Sequence, residues 1–247
     1  MAEEKGSPSI SIIVPTYNEA KNVQKLLRQV HACMKGYPYE ILVMDDNSPD
    51  KTAMKAKELE KKIPVRPIIR KKDRGLAKSV VDGFKHARGN FLIVMDADLS
   101  HPPKVLPKLI EKQKKSKADI VVASRLVPGG GTENWPRSRK LTSYIAGVLA
   151  RPLTQIKDPM SGFFLFNKNV IRNVALSPIG YKILLEILVK GNYKKAVEVP
   201  FIFRDRTAGQ SKLSIKTNME YLMHLSSLYM HKVKRLCPEL RRCHPES

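Results

Sequence analysis

The sequence predicts an α/β fold, a mostly parallel sheet with helices on both faces. Two observations carry this reading. Short β-rich runs alternate with helical patterns through residues 9–124, which is the signature of repeated strand-helix-strand units. The strands are apolar throughout instead of alternating, as expected when helices cover both faces of a sheet.

The elements follow in order. "SISIIVP" (9–15) reads as a buried strand. "EAKNVQKLLRQVHACM" (19–34) reads as a helix with Val23, Leu26, Leu27 and Val30 on one face and Asn18 as its cap. "YEILVMD" (39–45) is the second strand, and a helix capped by Asp50 runs through Lys61. "VRPIIR" (65–70) is a third strand, placed toward an edge because Pro67 cannot donate to a ladder. "LAKSVVDGFKHA" (76–87) is helical, "NFLIVMD" (90–96) is a strand, 103–116 is a helix with a Lys-rich outer face, and "ADIVVAS" (118–124) is the fifth strand. The second half is less regular. A loop at 127–136 precedes a helix over 137–151; "DPMSGFFLF" (158–166) is a turn and then a strand. A short helix spans 181–191 and a strand 195–203. A basic loop (204–214) leads to a last helix over 215–236, apolar at 215, 219, 222, 229 and 233.

In sheets of this kind, ligands bind beyond the carboxyl ends of the strands. "PTYNE", "DDNSPD", "RKKDRG", "DADLSH" and "SRLVPGGG" follow the five strands, so topology gathers the polar and Gly-rich loops at one rim.

Bulk properties narrow the classes. With 42% hydrophobic and 28% charged residues, the chain is globular and not disordered. A net charge of +22 calls for an anionic partner: nucleic acid, an acidic membrane surface or phosphorylated substrates. Cys33, Cys237 and Cys243 show no CxxC spacing, which argues against a disulfide framework or structural zinc and points to a reducing compartment. "MAEEKGSPS" is too acidic and polar for a secretory leader, and the apolar runs 141–150 and 221–231 fall short of the ~20 residues of a membrane span.

Asp96 and Asp98 stand two apart at the end of a strand, where they share a face. They suit a hard divalent cation, Mg2+ or Mn2+, held jointly with substrate phosphates. The plainer alternative is a loop in which one Asp caps the next helix. Neither GxGxxG after the first strand nor GxxxxGK[ST] is present, which weakens dinucleotide and P-loop readings. Glu19, Asp45 and Asp46 are candidates for hydrogen bonds from a ribose or base edge, with helix capping as the alternative.

"VPTYNE", "DDNSPDKT", "RGLAKSV" and "DADLSHPP", in that order and spacing, resemble glycosyltransferase family 2, with its GT-A fold. "SRLVPGGG", "DPMSGFF" and "FRDRTAGQSKLS" are similar to the dolichol-phosphate mannose synthase group and its polyprenyl-phosphate relatives. The resemblance covers roughly residues 9–215 and divides the chain into a flexible N-terminus (1–8), a catalytic domain (9–214, with a nucleotide-binding half to 124 and an acceptor-binding half from 125), and an amphipathic basic helix and tail (215–247). It implies a nucleotide-sugar pocket on Pro15, Tyr17, Glu19, Asp46, Arg74 and Asp96, with Arg206 and Lys212 from the basic loop. It implies a metal site on Asp96, Asp98 and Ser100, where a serine stands in place of the longer glutamine expected in relatives. An acceptor-phosphate site is implied on Arg125, Arg139, Ser143 and Arg206, with Lys212 beside it; Asp96, Asp98 and Arg125 are the catalytic candidates.

The activity implied is inverting transfer of mannose from GDP-mannose to dolichyl or another polyprenyl phosphate. A phosphate monoester, with its second pKa near ~6, is already a nucleophile at neutral pH. Such a reaction needs cations and not a strong general base. Transfer of glucose from UDP-glucose is the near alternative. A nucleic-acid-binding module is the rival from another class; it fits the charge, but aromatics are only 6% and acids crowd the rim. The expected setting is peripheral, at the cytoplasmic face of a membrane, with small anchoring subunits as one means of attachment. Basic residues Lys232, Lys234, Arg235, Arg241 and Arg242 favour an anionic lipid surface. Gly209 reads as a hinge of a lid over the site. Tyr181, Lys182 and Glu186 read as surface residues, His101 as part of the turn after the acids, and Trp135 as a contact for sugar or lipid or a pin for its loop.

Overall fold

The computed structural model describes residues 8–177, 179–180, 182–204 and 215–236. Seven strands form the main sheet: β1 (Ile10–Thr16), β2 (Tyr39–Asp45), β3 (Val65–Ile69), β4 (Phe91–Val94), β5 (Ile120–Ser124), β7 (Phe164–Asn167) and β8 (Ala196–Pro200). Their order is β3-β2-β1-β4-β7-β5-β8. All neighbours are parallel except β7, which runs antiparallel to β4 on one side and β5 on the other. β3, with Pro67, is an edge strand as its sequence predicts.

Alternate residues of each strand enter opposite layers. Ile12, Val14, Ile41, Val43 and Ile93 pack against the apolar faces of α1 (Val23–Cys33), α2 (Thr52–Lys57) and α4 (Leu106–Ser116). Ile13, Leu42, Met44, Leu92 and Val94 pack against α3 (Leu76–His86) and α6 (Ile183–Lys190). A third cluster, built on Leu153, Leu185, Val189, Leu225 and Leu228, joins α6 to α7 (Ile215–Leu236) and to the end of α5 (Arg137–Ala150). Helix α6 is therefore covered on two sides, and every residue from Ile183 to Val189 is buried.

Several local expectations shift. The cap of α1 is Asn22, because Asn18 adopts a left-handed φ of 60° and turns the chain toward the rim instead. The strand expected over 195–203 breaks at Phe201. β8 stays in the main sheet, while β9 (Ile202–Arg204) leaves it to pair with β6 (Gly131–Glu133). In α7 the apolar positions foreseen at 219, 222 and 233 face outward, and Leu225 and Leu228, with His224, take the inner face.

Candidate active site at the carboxyl rim

The loop after β1 is knitted to the start of α2. The N–H groups of Asn18, Glu19 and Ala20 donate to Ser48 Oγ (3.0 Å), Thr52 Oγ1 (2.9 Å) and Asp50 Oδ2 (2.9 Å). Asp45 accepts from Thr16 Oγ1 and from the hydroxyl and N–H of Ser48, so it braces the β1 and β2 ends. Asp46 is buried, paired with the Arg70 guanidinium and accepting the Gly75 N–H at 2.8 Å. Its contacts fasten the β2 end to the loop that opens α3. Of the other residues expected around a nucleotide, Pro15 is buried in β1, Glu19 is half-buried and holds Asn22, and Tyr17 and Arg74 are exposed. Arg206 and Lys212 lie outside the described residues.

The acid pair follows β4. The last hydrogen bond of this strand to β1 is from the Met95 N–H to Ile13 O (3.2 Å), and a left-handed Leu99 (φ 67°) folds the chain back so that Ser100 meets Asp98. The Ser100 hydroxyl and N–H both donate to Asp98 Oδ1, at 2.6 and 3.0 Å. Ser100 is itself buried, so its visible work is to orient Asp98. His101 meets Asp96 at its backbone: its Nδ1 accepts the Asp96 N–H at 2.9 Å, which fixes the turn that carries the carboxylate. Burial pushes the His101 imidazole below its ordinary pKa, against the opposing pull of Asp96 and Asp98. With Nδ1 accepting, the neutral ring carries its proton on Nε2, 3.8 Å from Asp96 Oδ2. The ring lies nearly parallel to Phe163 at 5.1 Å, with Phe201 and Phe203 edge-on.

The donor set fits a hard divalent ion that shares its shell with substrate and water. Two carboxylates one residue apart offer oxygen ligands, Asp96 keeping 28% of its side chain accessible. No cluster of three or more His, Cys, Asp or Glu suited to a metal occurs among the described residues, so an all-protein cage is not what this site offers. Space is reserved as well. A Cβ on Gly162 would come within 3.2 Å of His101 Cε1 and within 3.8 and 3.9 Å of the Asp96 oxygens.

Facing the acids is a group of cations. Arg125 leaves β5 and is held by Asp158, which accepts from its Nε (2.8 Å), its Nη2 (2.7 Å) and its backbone N–H (2.9 Å). Glu198 in turn fastens the N–H groups of Lys157 and Asp158. Arg139, in the first turn of α5, stacks over Trp135 at 4.1 Å, and Ser143 sits one turn later, half-buried. Lys182, foreseen as a surface residue, belongs to this group. Burial and then the charge of Arg125 lower its pKa to about 7, against the pull of Asp158 and Asp96. Glu186 is also interior, accepting from Lys190 Nζ at 2.6 Å and from the Ser177 N–H at 2.8 Å. His101 and Asp158 stood inside quoted motifs, so neighbours of the acids could have drawn attention to them. Lys182 carried no local signal.

A Rossmann-like sheet with a paired-acid loop and converging cations at its carboxyl rim is the architecture of a nucleotide-sugar glycosyltransferase. The glycosyl transferase family 2 profile matches residues 11–175, and the chain belongs to that family. It is 52% identical over 223 residues to a dolichol-phosphate mannosyltransferase of Pyrococcus furiosus, covering 89% of this chain but 63% of that protein's length. It is 40% identical to the dolichol-phosphate mannosyltransferase of Saccharomyces cerevisiae, covering 90% of this chain and 87% of the relative. Among solved structures, glucosyl-3-phosphoglycerate synthase from Mycobacterium tuberculosis in complex with phosphoglyceric acid superposes with a TM-score of 0.67 at 16% identity, over 92% of this chain and 80% of the other. A mannosyltransferase from Pyrobaculum calidifontis in complex with GDP-Man and Mn2+ superposes with a TM-score of 0.63 at 18% identity, over 92% and 65%. These similarities establish the GT-A fold.

Proposed function

We propose that the protein transfers mannose from GDP-mannose to dolichyl or another polyprenyl phosphate, inverting the anomeric centre. The observation that carries this reading is the convergence of the Asp96–Asp98 acids with Arg125, Arg139 and Lys182, since Lys182 feels the fields of Arg125, Asp158, Asp96 and Arg139 together. The names of the relatives, at 52% and 40% identity, support the donor and acceptor class and disfavour UDP-glucose. The GDP-Man complex of a fold neighbour agrees with them.

The acids would hold Mg2+ or Mn2+, which when bound offsets the charge developing on a departing diphosphate. The chain's own residues do the rest. The Asp98 carboxylate is held in one orientation by Ser100, and the Asp96 backbone is fixed by His101, which limits reorganisation of the acid loop as charge develops. Arg125 is held rigid by Asp158, and Arg139 by Trp135, which presents the planar guanidiniums suited to a phosphate monoester. Lys182, its pKa lowered to about 7, becomes more fully protonated as an anion arrives. The acceptor phosphate is already ionised, so none of these residues has to remove a proton from it.

An acceptor of this class would bring the reaction to a membrane surface, with the cytoplasmic face as the expected side, and two faces of the molecule support peripheral contact. Leu141, Tyr144 and Ile145 of α5 and Leu222, Met223 and Met230 of α7 are exposed. The two helices lie together through Tyr221 and Tyr229, whose hydroxyls donate to the carbonyls of Ala146 (2.6 Å) and Leu149 (2.7 Å). Arg137, Lys140, Lys234 and Arg235 add exposed positive charge to these helices. No described helix is long and apolar enough to cross a membrane. Small anchoring subunits are the alternative occupant of these faces.

The test is transfer of labelled mannose from GDP-mannose to a short polyprenyl phosphate, with Mg2+, with Mn2+ and with EDTA, beside a UDP-glucose control. Metal-dependent β-linked product from GDP-mannose is expected. No product with either metal, from folded protein, overturns the reading.

A further inference from the structure

Trp135 is the single tryptophan of the chain. It stands between β6 and α5, after a left-handed Asn134 (φ 61°) and before Pro136, the residue that caps α5. Glu133, Asn134 and Pro136 around it are exposed, but the indole is turned inward. Phe203 meets its ring edge-on at 5.2 Å. Two guanidiniums converge on that ring: Arg139 at 4.1 Å and Arg125 at 5.2 Å from its centroid. The same two cations lie 5.7 and 6.0 Å from the Phe203 ring. Trp135 Nε1 is buried and has no hydrogen-bond partner among the described residues.

Each feature has a cost that an incoming anion would offset. Two like charges gathered on one ring repel each other, and the Asp158 carboxylate beside Arg125 and the aromatic face both act against that repulsion. A buried N–H without a partner is disfavoured and calls for an explanation. Phenylalanine would supply a ring without the orphaned donor, but a weaker face for the two guanidiniums. A phosphate oxygen entering between the guanidiniums would answer both costs.

We propose that Trp135 is a positioning residue of the acceptor-phosphate subsite: its ring sets the spacing of Arg125 and Arg139, and its indole N–H donates to an oxygen of the bound phosphate monoester. This rests on the reading that these arginines take the acceptor phosphate. The ring fixes a guanidinium that would otherwise sample many rotamers, so its loss acts on acceptor binding and not on the donor.

Being the only tryptophan, residue 135 reports on its own surroundings. Emission of the full chain is followed during titration with a short polyprenyl phosphate, with inorganic phosphate and with the corresponding polyprenol, and turnover is measured in the same samples. A change in emission with polyprenyl phosphate, a smaller one with inorganic phosphate and none with polyprenol is expected. In kinetics, Trp135→Ala should raise the acceptor KM about tenfold and Trp135→Phe about threefold, with the GDP-mannose KM within about twofold in both. Two results overturn the proposal: emission unchanged at acceptor concentrations that saturate turnover, or an equally large response to polyprenol. An acceptor KM unchanged in Trp135→Phe and Trp135→Ala overturns it as well. Absence of turnover in the wild-type protein counts against the functional reading itself, which separates the two failures.

Discussion

The Asp158 carboxylate accepts three hydrogen bonds from one residue, Arg125, two from its guanidinium and one from its backbone. Both side chains are nearly withdrawn from water, 10% and 1% exposed. Replacing Asp158 with Asn removes one partner of a buried pair, which costs about 3–5 kcal/mol. Urea denaturation should show a loss of that order, and the surviving folded protein should have a raised acceptor KM. Full stability together with wild-type kinetics would show that Arg125 is oriented by something else.

Ser100 gives a sharper test of the acid site. Its hydroxyl lies 2.6 Å from Asp98 Oδ1, so Ser100→Ala removes an orienting hydrogen bond and leaves both carboxylates in place. Outer partners of this kind are worth about 10–100-fold in metal affinity. The Mn2+ or Mg2+ concentration for half-maximal transfer should rise by about tenfold, with the rate at saturating metal changing less. An unaltered metal requirement would confine Ser100 to packing.

Acid stability should depend on Glu186. Burial raises its carboxyl, but the contacts from His224, Lys190 and the Ser177 N–H outweigh that and hold it below its ordinary 4.5. A carboxyl depressed on folding contributes stability that is fully present above about 4.5 and lost as pH falls through the folded value. Glu186→Gln should therefore cost about 2 kcal/mol at neutral pH and flatten the acid limb of a pH–stability profile. Parallel acid limbs for variant and wild type would contradict this.

Helices α5 and α7 make the membrane reading measurable. Ile145→Asp and Met223→Asp place a charge on each exposed apolar face, 50% and 61% accessible. A large apolar side chain contributes about 1.5–3 kcal/mol when buried. Flotation with anionic vesicles should therefore show at least about a tenfold loss of binding for the double variant, while transfer to a detergent-solubilised short acceptor stays within twofold or so. Undiminished flotation would move the contact elsewhere.

The strands were legible because continuous apolar runs record burial on both faces; β2 falls where its run places it, and α7 keeps its expected span but turns a different face inward. Their order was not legible. "FFLF" reads as a strand in either direction, and only long-range pairing inserts β7 between β4 and β5. The paired acids were legible because Asp96 and Asp98 end an apolar run. Lys182 was not, since its environment is assembled from Arg125, Asp158 and Asp96, remote in sequence. Glu186 looked like the polar face of a surface helix. Its burial follows from α7 covering the side of α6 that a two-layer reading leaves open to water.

The reversed direction of β7 has a consequence for biosynthesis. β4 and β5 do not bond to each other; both bond to β7, whose residues 164–167 are translated about forty positions after β5 is complete. Until then the nascent sheet ends at β4 with an unsatisfied apolar edge, and β5 has no partner within the chain so far made. The first five strands therefore do not form one continuous sheet until β7 is available to join β4 to β5. Closure of the sheet comes late, and an unprotected strand edge on the ribosome is the interval in which this chain is most exposed to chaperones and to misassociation.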